Sequence, residues 1–238
     1  MPMQPAGSFV SQTHNGAIKV LGTDLAMCYV TAKITARSFS PEEAKLLADK
    51  VDVKLVQTDS RIATQIDKPR TSNGESISVD LDISVPHDTA LDLLTHNGAI
   101  RISHTYANAK AKTHNGSITL ESTTGNTNLE THNGGINCGD ITGDVTAKTH
   151  NGGVKIAYNE TSDSAINAYA KTHNGGISFK APPVLSVTIE ISTHNGSLKT
   201  EMPITIAGQI GKKHIKGTIG EGEGKLRLET HNGSVHLR

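Results

Sequence analysis

Apolar and polar residues alternate along most of this chain in short runs, each broken by the same tetrapeptide, Thr-His-Asn-Gly. It starts at Thr13, Thr95, Thr113, Thr131, Thr149, Thr172, Thr193 and Thr230, with an imperfect copy at Thr71-Ser72-Asn73-Gly74. Two residues before the threonine stand Leu93, Ala111, Leu129, Ala147, Ala170, Ile191 and Leu228. One residue before it stand Leu94, Lys112, Glu130, Lys148, Lys171, Ser192 and Glu229. Strand side chains alternate between faces, so the first set points inward and the second outward. The same parity turns the threonine inward and the histidine outward. Five residues after the threonine come Ile100, Ile118, Ile136, Val154, Ile177, Leu198 and Val235. Two further on, Ile102, Leu120, Cys138, Ile156, Phe179 and Leu237 are apolar and Thr200 is the exception. Each unit therefore reads as strand, corner, strand and return turn, the last visible at Thr124-Gly125-Asn126 and Thr142-Gly143-Asp144.

From Thr95 to Thr149 the copies are 18 residues apart, and the later intervals are 23, 21 and 37. Asn-Gly is also the strongest short hairpin signal. A fixed period near 20 held over several copies favours stacked coils over a meander of hairpins. The sequence predicts a mainly β protein, a β-solenoid (β-helix) over residues 86–238 with coils of about 18–23 residues. In such a stack Asn97, Asn115, Asn133, Asn151, Asn174 and Asn195 form a hydrogen-bonded ladder inside the corner. Gly98, Gly116, Gly134, Gly152, Gly175 and Gly196 supply the positive-φ turn.

Residues 8–85 read as an N-terminal α+β cap. Phe9 to Val20 alternates around the first tetrapeptide as two short strands. Val30–Arg37, Val51–Gln57, Arg61–Ile66 and Ser76–Val85 are predicted strands. Between them one helix is predicted at about 41–50, with Ser40 as N-cap, Pro41 in the first position, and Glu42 and Glu43 in the first turn. Such a cap covers strand edges that would otherwise invite aggregation.

Composition narrows the function classes. Aromatic residues are 3% of the 238 and Trp is absent, which suits a thin interior of aliphatic layers. Lys plus Arg equals Asp plus Glu at 23 each, so no net charge draws nucleic acid. No run approaches the ~18 apolar residues of a membrane helix. The N-terminus lacks a basic segment followed by an apolar one, so no signal peptide is predicted. Cys28 and Cys138 are far apart and show no CxxC spacing; Cys138 occupies an inward position as a small apolar side chain.

The Thr-x-Asn-Gly-x-Ile-x-Ile copies and the strand-helix-strand segment before them resemble bacterial candidate adhesin domains of β-helix type, a family without an assigned activity. Similar closing segments are Pro203-Ile204-Thr205-Ile206, Gly217 to Gly222, and Leu226 to Arg238. The resemblance spans Phe9 to Arg238. It implies a β-solenoid at the cell envelope that acts as an adhesin-like surface or scaffold toward a surface or protein partner.

The histidine is the one corner residue that a solenoid does not require. His96, His114, His132 and His150, extended by His173 and His194, are the candidate metal ligands, an outward row for Zn, Ni or Cu. The bland reading is that the rings stack on each other and bind nothing. Self-association through the terminal coils is a further alternative. No cofactor is predicted, and no serine sits in a GxSxG elbow. Asp140 and Asp144 belong to a turn that favours Asp for backbone reasons, so catalysis is not expected. Gly220-Glu221-Gly222-Glu223-Gly224 resembles a phosphate loop only in composition, because no helix follows it.

Overall fold

The computed structural model describes residues 1–205 and 211–238 of the chain. Ile206, the last residue of one closing segment named above, lies outside the described residues. The fold is a β-solenoid built of two facing, largely parallel sheets, with a single helix among the described residues at the N-terminal end. Each coil is named here by the threonine of its tetrapeptide.

One sheet of 11 strands carries the segments that lead into the corner: Ser8–Gln12, Ala90–Leu94, Ala109–Lys112, Thr127–Glu130, Val145–Lys148, Asn167–Asn174, Gly224–Asn232 and Val187–Asn195, in that spatial order. The other, of 10 strands, carries the segments that leave it, from Ile18–Thr23 through Ile100–Ser103 to Val235–Leu237 and Leu198–Thr200. Register is exact in steps of 18 over the middle coils: Leu93 beside Ala111, Leu129 beside Ala147, Ile118 beside Ile136. Alternation inside each strand then stacks like residues on like. The alternating aliphatics of both sheets fill the interior, with Ile100, Ile102, Ile118, Leu120, Leu129 and Ile136 among the largest fully buried side chains. Cys138 fits the same layer. It and Cys28 are free, buried thiols, and burial pushes the Cys138 thiol up to about 12 and that of Cys28 to about 11.

Two features depart from the chain-order stack that the sequence suggests. The first tetrapeptide, at Thr13, belongs to the stack itself. Ser8–Gln12 pairs in parallel with Ala90–Leu94, and Ile18–Thr23 with Ile100–Ser103. The imperfect copy does not join it: Gly74 turns at φ +89° beside Phe39, and Asn15 donates to the Ile77 carbonyl instead (3.3 Å). Second, the Thr230 coil does not come last. Gly224–Asn232 lies between Asn167–Asn174 and Val187–Asn195, parallel to both. The stack therefore runs Thr13, Thr95, Thr113, Thr131, Thr149, Thr172, Thr230, Thr193. The crossing is made by Gly220–Glu223, whose Glu221 and Glu223 amides donate to Ser186 Oγ (3.2 and 3.4 Å). That accounts for the glycine-rich stretch.

The ends are covered differently. At the N-terminal end two antiparallel pairs extend the sheets: Tyr29–Arg37 on Ser76–Pro86, and Asp52–Thr58 on Arg61–Asp67. The helix Pro41–Ala48 lies against Tyr29–Arg37. Ser40 caps it by accepting from the Glu43 amide (3.2 Å), and Leu47 is its buried residue while Leu46 stays exposed. At the other end His214–Ile219 runs antiparallel along Val187–Asn195. No helix among the described residues is long and apolar enough to cross a membrane.

Candidate functional site

Each corner residue has a partner in the coil beside it. The threonine hydroxyl is buried and donates to the carbonyl of the neighbouring corner glycine. Thr95 bonds Gly16 (2.9 Å), Thr113 Gly98 (2.9 Å), Thr131 Gly116 (2.8 Å), Thr149 Gly134 (2.8 Å), and Thr172 Gly152 (2.7 Å). Thr230 bonds Gly175 (2.7 Å) and Thr193 Gly233 (2.8 Å). That approach explains the glycine. A Cβ on Gly98, Gly116, Gly134, Gly175 or Gly196 would overlap the neighbouring glycine carbonyl. Gly152 has the same neighbour, Gly134. Positive φ, the reason expected from the sequence, is found among the eight full copies at Gly16 (+135°) and Gly152 (+159°). Close stacking is the general cause.

The asparagine ladder is continuous, and it lies on the exposed corner rather than inside it. Each amide donates to the side-chain oxygen of a neighbour: Asn97 to Asn15 (2.7 Å), Asn115 to Asn97 (2.7 Å), Asn133 to Asn115 (2.8 Å), Asn151 to Asn133 (2.7 Å), Asn174 to Asn151 (2.8 Å). Asn232 continues it to Asn174 (2.8 Å), and Asn195 donates to Asn232 (2.9 Å). A second ladder at the return turn uses side-chain oxygens as acceptors for backbone amides: Asn126 N–H to Asn108 (3.0 Å), Asp144 N–H to Asn126 (3.0 Å), Asn167 N–H to Asp144 (2.9 Å). Asp144 is thereby a structural acceptor. Asp140 is held below the usual carboxylate range by hydrogen bonds from Asn159 and Ser122.

The histidines stack face to face along the outside. Ring centroids are 4.9 Å apart for His14–His96, and 4.8 Å for His96–His114, His114–His132, His132–His150 and His150–His173. The row continues through His231, 4.6 Å from His173 and 4.6 Å from His194. Thus the six candidates share one column, His173 and His194 are separated by His231, and His14 and His231 are the members that sequence reasoning missed. Both lie in complete copies of the tetrapeptide, so the signal was present. Reading 8–85 as cap hid His14, and the row was drawn in chain order only as far as His194, which left out His231.

Because the rings are nearly parallel, equivalent nitrogens of neighbours sit about a ring spacing apart. Two nitrogens sharing a zinc ion lie no further apart than about 4.2 Å, twice the Zn–N bond. The stacked arrangement therefore does not bridge a metal, and neighbouring rings would have to leave the stack to do so. Among the described residues no group of three or more His, Cys, Asp or Glu is placed to hold an ion. Burial lowers the pKa of His14, with His96 and Lys68 adding to the effect, and lowers that of His173, with His231 and His150 adding.

Beside the first half of the column runs a cleft of about 710 Å³. His14, His96, His114 and His132 line it together with the outward row Gln12, Leu94, Lys112 and Glu130. The strand Arg61–Asp67 supplies Thr64 and Ile66, and Lys68 follows on the same side. The Ser11 and Thr64 hydroxyls, 2.9 Å apart, tie that strand to the first coil. These wall residues have no repeat signal, and the sequence did not mark them.

No curated protein matches the chain. Among solved structures, a candidate cell adhesion protein from Clostridium sporogenes ATCC 15579 is 12% identical, with 100% of this chain and 96% of that chain covered and a TM-score of 0.39. A candidate adhesin from Bacteroides fragilis NCTC 9343 is 11% identical over 100% of this chain and 94% of that one, with a TM-score of 0.43. The model of the family described as Toastrack DUF4097 matches residues 8–238. The chain belongs to the Toastrack DUF4097 family.

Proposed function

We propose that this chain is a rigid, non-catalytic scaffold of the cell envelope that presents its histidine-lined corner to a surface or protein partner. The observation that carries the reading is the contrast within the tetrapeptide. Thr, Asn and Gly each have a structural task in the stack, whereas the histidine rings are exposed and touch chiefly one another. A fold that needs no histidine there carries it in all eight full copies. Exposed polar side chains held at fixed spacing by a stiff backbone are suited to recognition rather than turnover.

Replacement of His96, His114 and His132 together by Gln tests the claim that the column is free of structural duty. The expected result is a folded monomer whose melting temperature at pH 8 falls by no more than about 5 °C, the scale of ~1–2 kcal/mol in a domain of this size. Failure to fold would make the histidines structural and remove them as a recognition surface. Protease shaving of intact cells of the source organism tests the compartment: the scaffold is expected to be cleaved from outside, and recovery only in the cytosol overturns that part.

A further inference from the structure

The cleft at the start of the histidine column differs from the rest of the corner, and the difference is chemical. Further along, the outward charges are paired or covered: Lys171 meets Glu229 at 3.4 Å, and the Lys148 ammonium lies 5.4 Å from the centre of the Tyr169 ring. Within the cleft the one carboxylate, Glu130, is bound by Lys112 at 3.0 Å. Lys68 makes no ion pair among the described residues, and it faces His14 closely enough to disfavour that ring's protonation. The cleft thus holds one unneutralised cation beside a row of donors.

Each imidazole offers an N–H whatever its tautomer. Because the rings stack face to face, a ligand beside the row meets chiefly their edges. Four such edges recur at one coil spacing along the axis. Leu94, two residues before His96, and Ile66, on the strand Arg61–Asp67, give the cleft an apolar strip. A compact inorganic ion would use Lys68 and leave that strip idle. Of the four rings only His14, at the end of the row, has a face without a stacked neighbour, so an aromatic ligand would find one platform and leave the other rings unused. The arrangement suits an extended molecule with a carbon-rich side and acidic groups along the other.

From the cleft bounded by Lys68, Ile66, Leu94 and the edges of His14, His96 and His114, we infer a binding site for an acidic oligomer that lies along the solenoid axis. Its carboxylate, sulfate or phosphate groups meet Lys68 and the imidazole N–H groups, while its carbon skeleton covers Leu94 and Ile66. Arg61–Asp67 forms the outer wall, and its hydroxyl contact to the first coil holds that wall in place. The inference gives the recognition face a ligand class and rests on the reading of that face proposed above.

Isothermal titration of the full chain at low salt with three probes tests it: an oligogalacturonate for carboxylate, a heparin-derived oligosaccharide for sulfate, and a poly(glycerol phosphate) for phosphate. Binding of at least one probe at one site per chain is expected, and it should weaken as sodium chloride is added. Lys68→Gln is expected to reduce its affinity about fivefold, the size of one exposed charge contact. Leu94→Glu, which adds a carboxylate to the floor, should reduce it further. Lys155→Gln, on the opposite sheet, should leave it unchanged. Circular dichroism of each variant separates loss of binding from loss of fold. No binding by any probe, or equal losses in Lys68→Gln and Lys155→Gln, overturns the site. Neither outcome touches the scaffold reading, which stands or falls on the triple histidine variant and the shaving experiment.

Discussion

At Gly116 a single hydrogen atom stands where any other residue would place a methyl group into the carbonyl of Gly98. Gly135, one turn residue further on in the next coil, has only the Gly153 carbonyl near it, at 3.3 Å. Gly116→Ala is therefore expected to lose about 2–3 kcal/mol through overpacking against backbone, and Gly135→Ala well under half of that; urea denaturation of the two variants measures the gap. The tetrapeptide spelled out which residues sit at this corner. It did not reveal that close approach, rather than a left-handed turn, selects the glycine at most of them. That cause needs the distance between coils, which no single copy contains. The histidines carry a second prediction. His14 and His173 have folded pKa values below the ordinary 6.5, with burial the largest cause. The unfolded chain then binds more protons than the folded one as pH falls through 6.5. Stability is complete above that value and declines below it. Melting curves at pH 7.5 and pH 5 are expected to show the lower transition at pH 5, and a His14→Gln, His173→Gln double variant should narrow the difference.

At the level of the coil, two ladders on opposite corners take up the polar groups, and the aliphatic layers between them supply the burial. An interior rung of the asparagine ladder donates one bond and accepts another. Asn133 does both, to Asn115 and from Asn151. Asn195, in the last coil of the stack, donates to Asn232. Asn133→Ala is expected to cost about 1–2 kcal/mol for two partly solvated hydrogen bonds, and Asn195→Ala about half as much, read as shifts of the urea midpoint at unchanged slope. These elements were the most legible part of the chain, because a period of 18 with strict alternation fixes strand, face and corner together. The helix was equally plain from Ser40, Pro41 and the two glutamates. The cleft was not. Thr64 and Ile66 come from a strand, with Lys68 just after it, that pairs with the first coil across more than 50 residues of sequence, and no local pattern announces such a neighbour. The aspartates of the return turn were read as turn formers. Asp144 turns out to serve the adjacent coil's Asn167 amide as well.

For the whole molecule the decisive feature is the order of the coils. The Thr230 coil follows the Thr193 coil in the chain but lies before it in the stack, bonded on both sides in both sheets. Deletion of residues 224–238 is expected to do more than shorten the solenoid. It would leave Asn167–Asn174 and Val187–Asn195 each with one edge unpaired, and such edges associate. Light scattering of the truncated protein should show oligomers at concentrations where the full chain is monomeric, and Thr230→Val, which removes only one buried hydroxyl, should not. Sequence spacing gave a hint in the interval of 37, but an interval does not say on which side of its predecessor a coil will lie. That order also has a consequence for biosynthesis. A ribosome makes the neighbours of the slot before it makes the segment that fills it, so the growing chain cannot finish its fold from one end to the other. Completion waits for residues 224–238. A polypeptide cut before Gly224 would be recognisable by its open slot, whereas one that contains those residues closes like a joint with its key driven in. The inserted coil thereby couples its own synthesis to the burial of its neighbours' edges.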